Sequence, residues 1–319
     1  MTKLFASAAA AALALGASTA QAAGQPGARA FENRIDFLRI DRDIAVRRVV
    51  VRSENAKGVV LFLHGFPETL FAWEEVSASL AGDYEIHAFD WPGFGLSTRP
   101  APGKFGYAPK DFARVLKAYI EKAAIDRSRL VIYATDIGGL PALLAAIEDP
   151  AIARAIIVGD FAPFDRPQLM QERLQALKSE STGAAARAQF NAGRDEILEN
   201  AMRRGLKPEE QFEISAAFKE DMARGWGHGA ITTADAFAQY YARFTRDQNE
   251  FEASIGRLKT PVRVVWGERD IYIGKEMGVE FAKSANAPLS LLPGTGHYPH
   301  LQRPQLAAAE IRAAFAERR

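Results

Sequence analysis

Short apolar runs bounded by turn-forming residues recur along the chain, at residues 44–52, 59–64, 84–90, 130–134, 155–158, 262–266 and 289–292. Segments with helical spacing fill many of the intervals. Apolar runs separated by helices predict a mostly parallel sheet flanked by helices, an α/β arrangement. Two helix starts are legible: Pro109 stands near the first position of a helix over 110–123, and Pro208 followed by Glu209 and Glu210 is expected to open another. From 161 to about 251 the pattern changes to charged, alanine-rich helical sequence without a convincing strand. No internal repeat is visible.

Composition narrows the class. The 319 residues are 48% hydrophobic and 25% charged, enough for a large core, and the formal net charge of +1 gives no reason to expect nucleic acid or an anionic membrane as a partner. Lys3, the small apolar run 4–17 and Ala20-Gln21-Ala22 together read as a secretory signal over residues 1–22. The apolar run is shorter than the roughly 20 residues a bilayer span needs, so no membrane anchor is expected after cleavage, and the mature chain is expected to be secreted or periplasmic. The chain has 0 cysteines, so its stability in an oxidising compartment must come from the core.

The chemistry centres on Ala134-Thr135-Asp136-Ile137-Gly138-Gly139, which follows the apolar run Leu130-Val131-Ile132-Tyr133 and opens onto a helix-like segment near Leu140. Small residues two positions either side of a strand-to-helix corner make room for a nucleophile on a sharp turn. Here that residue is Asp136, at the positive end of the following helix, where the carboxylate is favoured. An aspartate attacks saturated carbon through an alkyl-ester intermediate.

Further blocks match. His64-Gly65-Phe66-Pro67-Glu68, Asp90-Trp91-Pro92-Gly93-Phe94-Gly95 and Gly294-Thr295-Gly296-His297, in this order with the Asp136 corner, resemble the epoxide hydrolase and dehalogenase branch of the α/β-hydrolases, and the secreted bacterial Cif-like epoxide hydrolases within it. The resemblance implies an α/β-hydrolase core over 23–160 and 252–319 with a helical cap over 161–251. It implies a small hydrophobic epoxide and water as reactants, and no cofactor; a homodimer is left open.

Residue roles follow from the same resemblance. Asp136 is the expected nucleophile, His297 the base that activates water, and the backbone N–H groups of Phe66 and Ile137 the oxyanion donors. Two acids compete to orient His297. Asp270 lies 27 residues before the histidine, and Asp160 lies 24 residues after Asp136; the local sequence around Asp160 matches the secreted relatives better. Tyr241 is the expected ring-opening acid, with Tyr240 as its alternate and Gln189 or His228 as a second donor. Ile137 stands where haloalkane dehalogenases carry Trp and fluoroacetate dehalogenases carry Arg, which favours an epoxide over a halide. A dehalogenase, and a non-catalytic binding protein of the same fold, are the alternatives. Phe66, Trp73, Trp91, Phe161, Phe164 and Trp226 are candidate pocket aromatics, with Phe66 expected to touch substrate. Arg187 and Arg243 are candidates for recognising an acidic substrate. No metal cluster, phosphate loop or dinucleotide fingerprint is evident in a suitable context.

Overall fold

A computed structural model describes Phe31 and residues 34–317; the expected leader over 1–22 lies outside the described residues. The strands are β1 (Ile35–Arg39), β2 (Ala45–Val51), β3 (Val59–Leu63), β4 (Glu85–Phe89), β5 (Leu130–Thr135), β6 (Ala155–Gly159), β7 (Val262–Gly267) and β8 (Leu289–Leu292). They form one sheet in the order β1-β2-β4-β3-β5-β6-β7-β8. β1 and β2 pair antiparallel, β2 joins β4 antiparallel, and every later pairing is parallel. β3, β5 and β6 are buried at every position, as central parallel strands covered on both faces must be.

The helices are α1 (Glu74–Leu80), α2 (Pro109–Lys122), α3 (Gly139–Glu148), α4 (Glu172–Lys178), α5 (Gly183–Ala192), α6 (Arg194–Asn200), α7 (Ala216–Trp226), α8 (Thr233–Tyr241), α9 (Phe244–Ser254), α10 (Lys275–Ser284), α11 (Pro299–Gln302) and α12 (Pro304–Ala316). α4 to α9 all lie between β6 and β7, so the helical insertion enters where the sequence changes character. Two hydrophobic clusters cover the sheet. One holds Leu61, Leu63 and Ile132 with α2 and α3; the other holds Val60, Phe62 and Tyr133 with α1 and α12. Neighbouring residues of one strand thus feed opposite faces.

Two expectations are corrected. Pro208-Glu209-Glu210 makes a single 3₁₀ turn, and the next helix begins only at Ala216, where Ser215 accepts the N–H of Phe218 as a side-chain cap. β1 was not expected. It is an edge strand with no fully buried residue, so it shows no apolar run.

Candidate active site

β5 ends at Thr135, and the chain turns at Asp136 with φ +47°, a left-handed conformation that a non-glycine residue adopts only when its surroundings enforce it. The following turn, Asp136–Gly138, leads directly into α3. A Cβ at Gly138 would stand 3.0 Å from both Cβ and the carbonyl oxygen of Leu63, so the corner requires a small residue there. Asp136 Oδ2 accepts the N–H of Phe66 at 2.8 Å. Gly65 is equally constrained: a Cβ there would meet Asp136 Cβ at 2.8 Å.

The turn carrying Phe66 is pinned from below. Trp91 N–H donates to His64 Nε2 at 3.2 Å, so Nδ1 carries the proton and donates to the Gly65 carbonyl at 2.7 Å. Burial lowers the His64 pKa, which fits this neutral tautomer. Glu68 accepts the Gly65 N–H at 2.6 Å with one oxygen, and its other oxygen meets His300 Nε2 at 2.6 Å, the whole arrangement closed to solvent.

His297 follows β8. Its Nδ1 lies 2.7 Å from Asp270 Oδ2, and its Nε2 lies 3.9 Å from Asp136 Oδ1, a long ion-pair contact. The second oxygen of Asp270 accepts the N–H groups of Tyr272 at 2.8 Å and Ile273 at 3.1 Å. Bringing the two loops together demands a glycine at 267, whose added Cβ would fall 1.9 Å from the Gly296 carbonyl oxygen. Burial opposes charge on His297, but the negative charge of Asp270 and the contact with Asp136 outweigh it and raise the pKa well above the usual imidazole value.

The preference for Asp160 as the partner of His297 is corrected by this geometry. Asp160 is fully buried at φ +50°, and its Oδ1 accepts the Gly267 N–H at 2.9 Å. Its Oδ2 has no hydrogen-bond partner among the described residues. Burial, then the charge of Asp270, pushes its pKa well above the carboxylate range. Ligating atoms of Asp160, Asp270 and His297 lie within 4.8 Å of one another. His297 Nδ1 and Asp270 Oδ2 are, however, engaged with each other and Asp160 Oδ1 with the Gly267 N–H, which is a poor open ligand set for a metal.

Above Asp136 and His297 opens a narrow cavity with walls formed by Phe66, Leu174, Phe190, Ile197, Phe237, Tyr272 and Tyr298. Phe66 stacks on Phe237 at 4.0 Å and meets the edge of Phe190 at 5.9 Å. Tyr298 donates to the Phe66 carbonyl at 2.8 Å, locking the turn from the histidine side. On α8, Phe237 forms the cavity wall, while Tyr240 and Tyr241 are buried behind it. Tyr240 donates to the Ile137 carbonyl at 3.1 Å. Tyr241 has no hydrogen-bond partner among the described residues, and burial together with the charges of Asp136 and then Asp270 holds its phenol protonated.

Several sequence-derived candidates fall elsewhere. Gln189 and His228 are exposed, so neither faces the cavity as a second donor. Trp73, Trp91, Phe161 and Phe164 pack in the core, and Trp226 backs Phe66 at 5.9 Å. Arg187 pairs at 3.7 Å with Asp235 and Arg243 is exposed; the arginines that do line the cavity are Arg173 and Arg204. Tyr298 was missed, although its adjacency to His297 was a signal that could have found it. Arg173 and Arg204 had no local signal, because an arginine in a charged helical segment reads as a solvated face.

Residues 58–304 match the family model for the alpha/beta hydrolase fold. The chain is 24% identical over 286 residues to the 2-(acetamidomethylene)succinate hydrolase of Mesorhizobium japonicum, covering 85% of this chain and 94% of the relative. Shorter matches, confined to about two fifths or less of each partner, reach 31% identity over 120 residues with haloalkane dehalogenase 2 of Mycobacterium tuberculosis (37% of this chain, 41% of the relative) and 30% over 126 residues with mouse epoxide hydrolase 4 (39% and 34%). The solved structure of Cfl2 from Burkholderia cenocepacia superposes with a TM-score of 0.72 at 22% identity, over 88% of this chain and 95% of that one. With the mostly parallel sheet, the strained aspartate corner and the late histidine in place, the chain belongs to the alpha/beta hydrolase fold family.

Proposed function

We propose that the protein hydrolyses an epoxide to a vicinal diol through an ester on Asp136. The observation that carries this reading is Asp136 at the floor of the cavity with Tyr241 packed against the wall residue Phe237, ring centroids 4.9 Å apart, while the residue beside Asp136, Ile137, offers no side-chain donor to a departing halide. Asp136 Oδ attacks an epoxide carbon, the carbon–oxygen bond breaks, and its electron pair goes to the ring oxygen, which takes the Tyr241 proton. Tyr240 is unsuited to this role because its hydroxyl is engaged by the Ile137 carbonyl.

Ester formation removes the Asp136 charge, one of the groups that hold His297 protonated, and so lowers the His297 pKa toward that of a base. His297, oriented by Asp270, then takes a proton from water as the oxygen attacks the ester carbonyl. The Phe66 N–H, already aimed at Asp136, stabilises the tetrahedral oxyanion, joined by the N–H of Ile137. Collapse releases the diol and restores the carboxylate, and the proton returns through His297 and solvent to the Tyr241 phenolate. Water is the only cosubstrate. Export to the periplasm or beyond is proposed from residues 1–22 alone; among the described residues no helix is long and apolar enough to cross a membrane.

The test is intact-mass and peptide analysis of a His297→Gln variant incubated in parallel with an aryl epoxide and a matched alkyl bromide. Loss of the base should strand an adduct on Asp136 that retains the epoxide oxygen. An adduct with the bromide alone would replace this reading with dehalogenation, and no adduct with either would sink covalent catalysis in favour of a binding role.

A further inference from the structure

The cavity above Asp136 has a positive wall. Arg173 and Arg204 line it, yet they differ in what neutralises them. Arg204 is paired with Glu196, whose charge also acts at longer range on Arg173. Arg173 is half-buried and has no carboxylate within ion-pair distance among the described residues; its guanidinium lies over the ring of Phe190, 4.6 Å from the centroid. Phe190 in turn touches Phe66, so the unpaired cation sits on the aromatic wall that faces the reacting carboxylate.

Two physical arguments point from that cation to a ligand. Arg173 is the second residue of α4, close to the positive end of the helix, where a cation is unfavourable. It therefore contributes little to the helix that carries it. Also, an ionised Asp136 at the floor repels any anion entering the cavity, so an anionic substrate can be seated only if a cation on the wall offsets that repulsion. Two guanidinium groups that share one carboxylate, Glu196, leave a net positive charge on a cavity otherwise walled by Phe66, Leu174, Phe190 and Phe237, which suits a molecule with an apolar body and one carboxylate.

We infer that the substrate carries a carboxylate, held by Arg173 with Arg204 beside it, while its apolar part lies against Phe190 and Phe237. This inference rests on the assignment of this cavity as the substrate site and extends it to a substrate class, an epoxide bearing an acid group at the end remote from the ring.

Equilibrium binding tests it without any reaction. Phenylacetate and phenylacetamide have the same shape and differ in charge, and both are titrated calorimetrically into the wild-type protein and into Arg173→Gln and Arg173→Lys. The wild type should bind the acid about 10-fold or more tightly than the amide, as expected for a charge-assisted contact. Arg173→Gln should bring that ratio close to one and Arg173→Lys should retain part of it, while circular dichroism verifies that both variants are folded. Equal affinities in the wild type, a preference that persists in Arg173→Gln, or no detectable binding of either probe would overturn the inference. Failure of the epoxide reading is seen separately, as the absence of an epoxide adduct on Asp136 in the His297→Gln variant.

Discussion

The sheet's C-terminal edge and the helical insertion above it are built by different means. At the sheet edge, backbone packing sets the groups: Asp136 and Asp160 are both forced to positive φ, Gly65 has no room for a Cβ beside Asp136, and Gly267 has none beside Gly296. The insertion is a run of short helices held to the core by side chains. Arg47 on β2 binds Asp90 at 2.5 Å and grips Asp221 on α7 through both terminal nitrogens, at 2.7 and 2.6 Å. Tyr272, after β7, donates to the carbonyl of Ala201, while Gln248 ties α9 to the start of the insertion at Ala162 and Phe164. The difference teaches that the groups proposed to react are placed by the rigid framework, where a small misplacement is costly, while the residues proposed to hold the substrate ride on elements whose positions depend on a few polar ties.

Substitutions on each side should separate the two regions. The largest effect is expected from Asp136→Ala, which should lower kcat for an aryl epoxide by about 10⁴-fold or more by removing the nucleophile. Retention of even a hundredth of the activity would place the attack elsewhere. Asp270→Asn should cost about 10³-fold, since an amide in place of the carboxylate neither stabilises the imidazolium nor fixes the histidine tautomer; steady-state rates identical to wild type would remove Asp270 from the mechanism.

The insertion should answer differently. Asp221→Ala leaves Arg47 buried with one partner instead of two and should lower unfolding stability by about 3 kcal/mol in urea titration. An unchanged midpoint would mean that the tie does not hold the insertion down. Tyr241→Phe should slow alkylation by an epoxide about 10²-fold in single-turnover experiments yet leave alkylation by an alkyl bromide unaffected, because a halide needs no proton to depart. Equal slowing of both would assign the tyrosine to packing.

The smallest effect concerns Asp160. Its folded pKa lies above the unfolded value, so its contribution is fully present below about pH 4 and is lost as pH rises toward the folded pKa. Asp160→Asn cannot ionise. The melting temperature of the variant relative to wild type should therefore be higher at pH 7 than at pH 4, and a pH-independent difference in calorimetric scans would show that Asp160 ionises normally.

Much of the framework was legible because buried parallel strands are continuous apolar runs: β3, β5 and β6 appear within a residue of where those runs place them. β1 escaped because only its pairing with β2, through contacts such as Ile35 with Val49, makes it a strand. Pro208 misled for a related reason: Glu209 and Glu210 carry helix-start chemistry, but no apolar stripe continues it, and Glu210 instead accepts the N–H of Lys207 and pairs with Arg269. The two acids were indistinguishable in sequence, since both follow a strand at plausible spacing. A backbone N–H settled their geometry, as Gly267 takes Asp160 while Asp270 is left facing His297.

The sequence by itself determined the parallel sheet, the site of the helical insertion, and the aspartate corner and histidine loop, because apolar runs and small flanking residues are local constraints that leave a local record. Only the tertiary structure decided which acid meets His297, which tyrosine keeps a free phenol, and which arginines face the cavity. Those outcomes turn on the direction of side chains from segments far apart in the chain, as with Tyr240 and Ile137, 103 residues apart, and no local pattern records a distance between them.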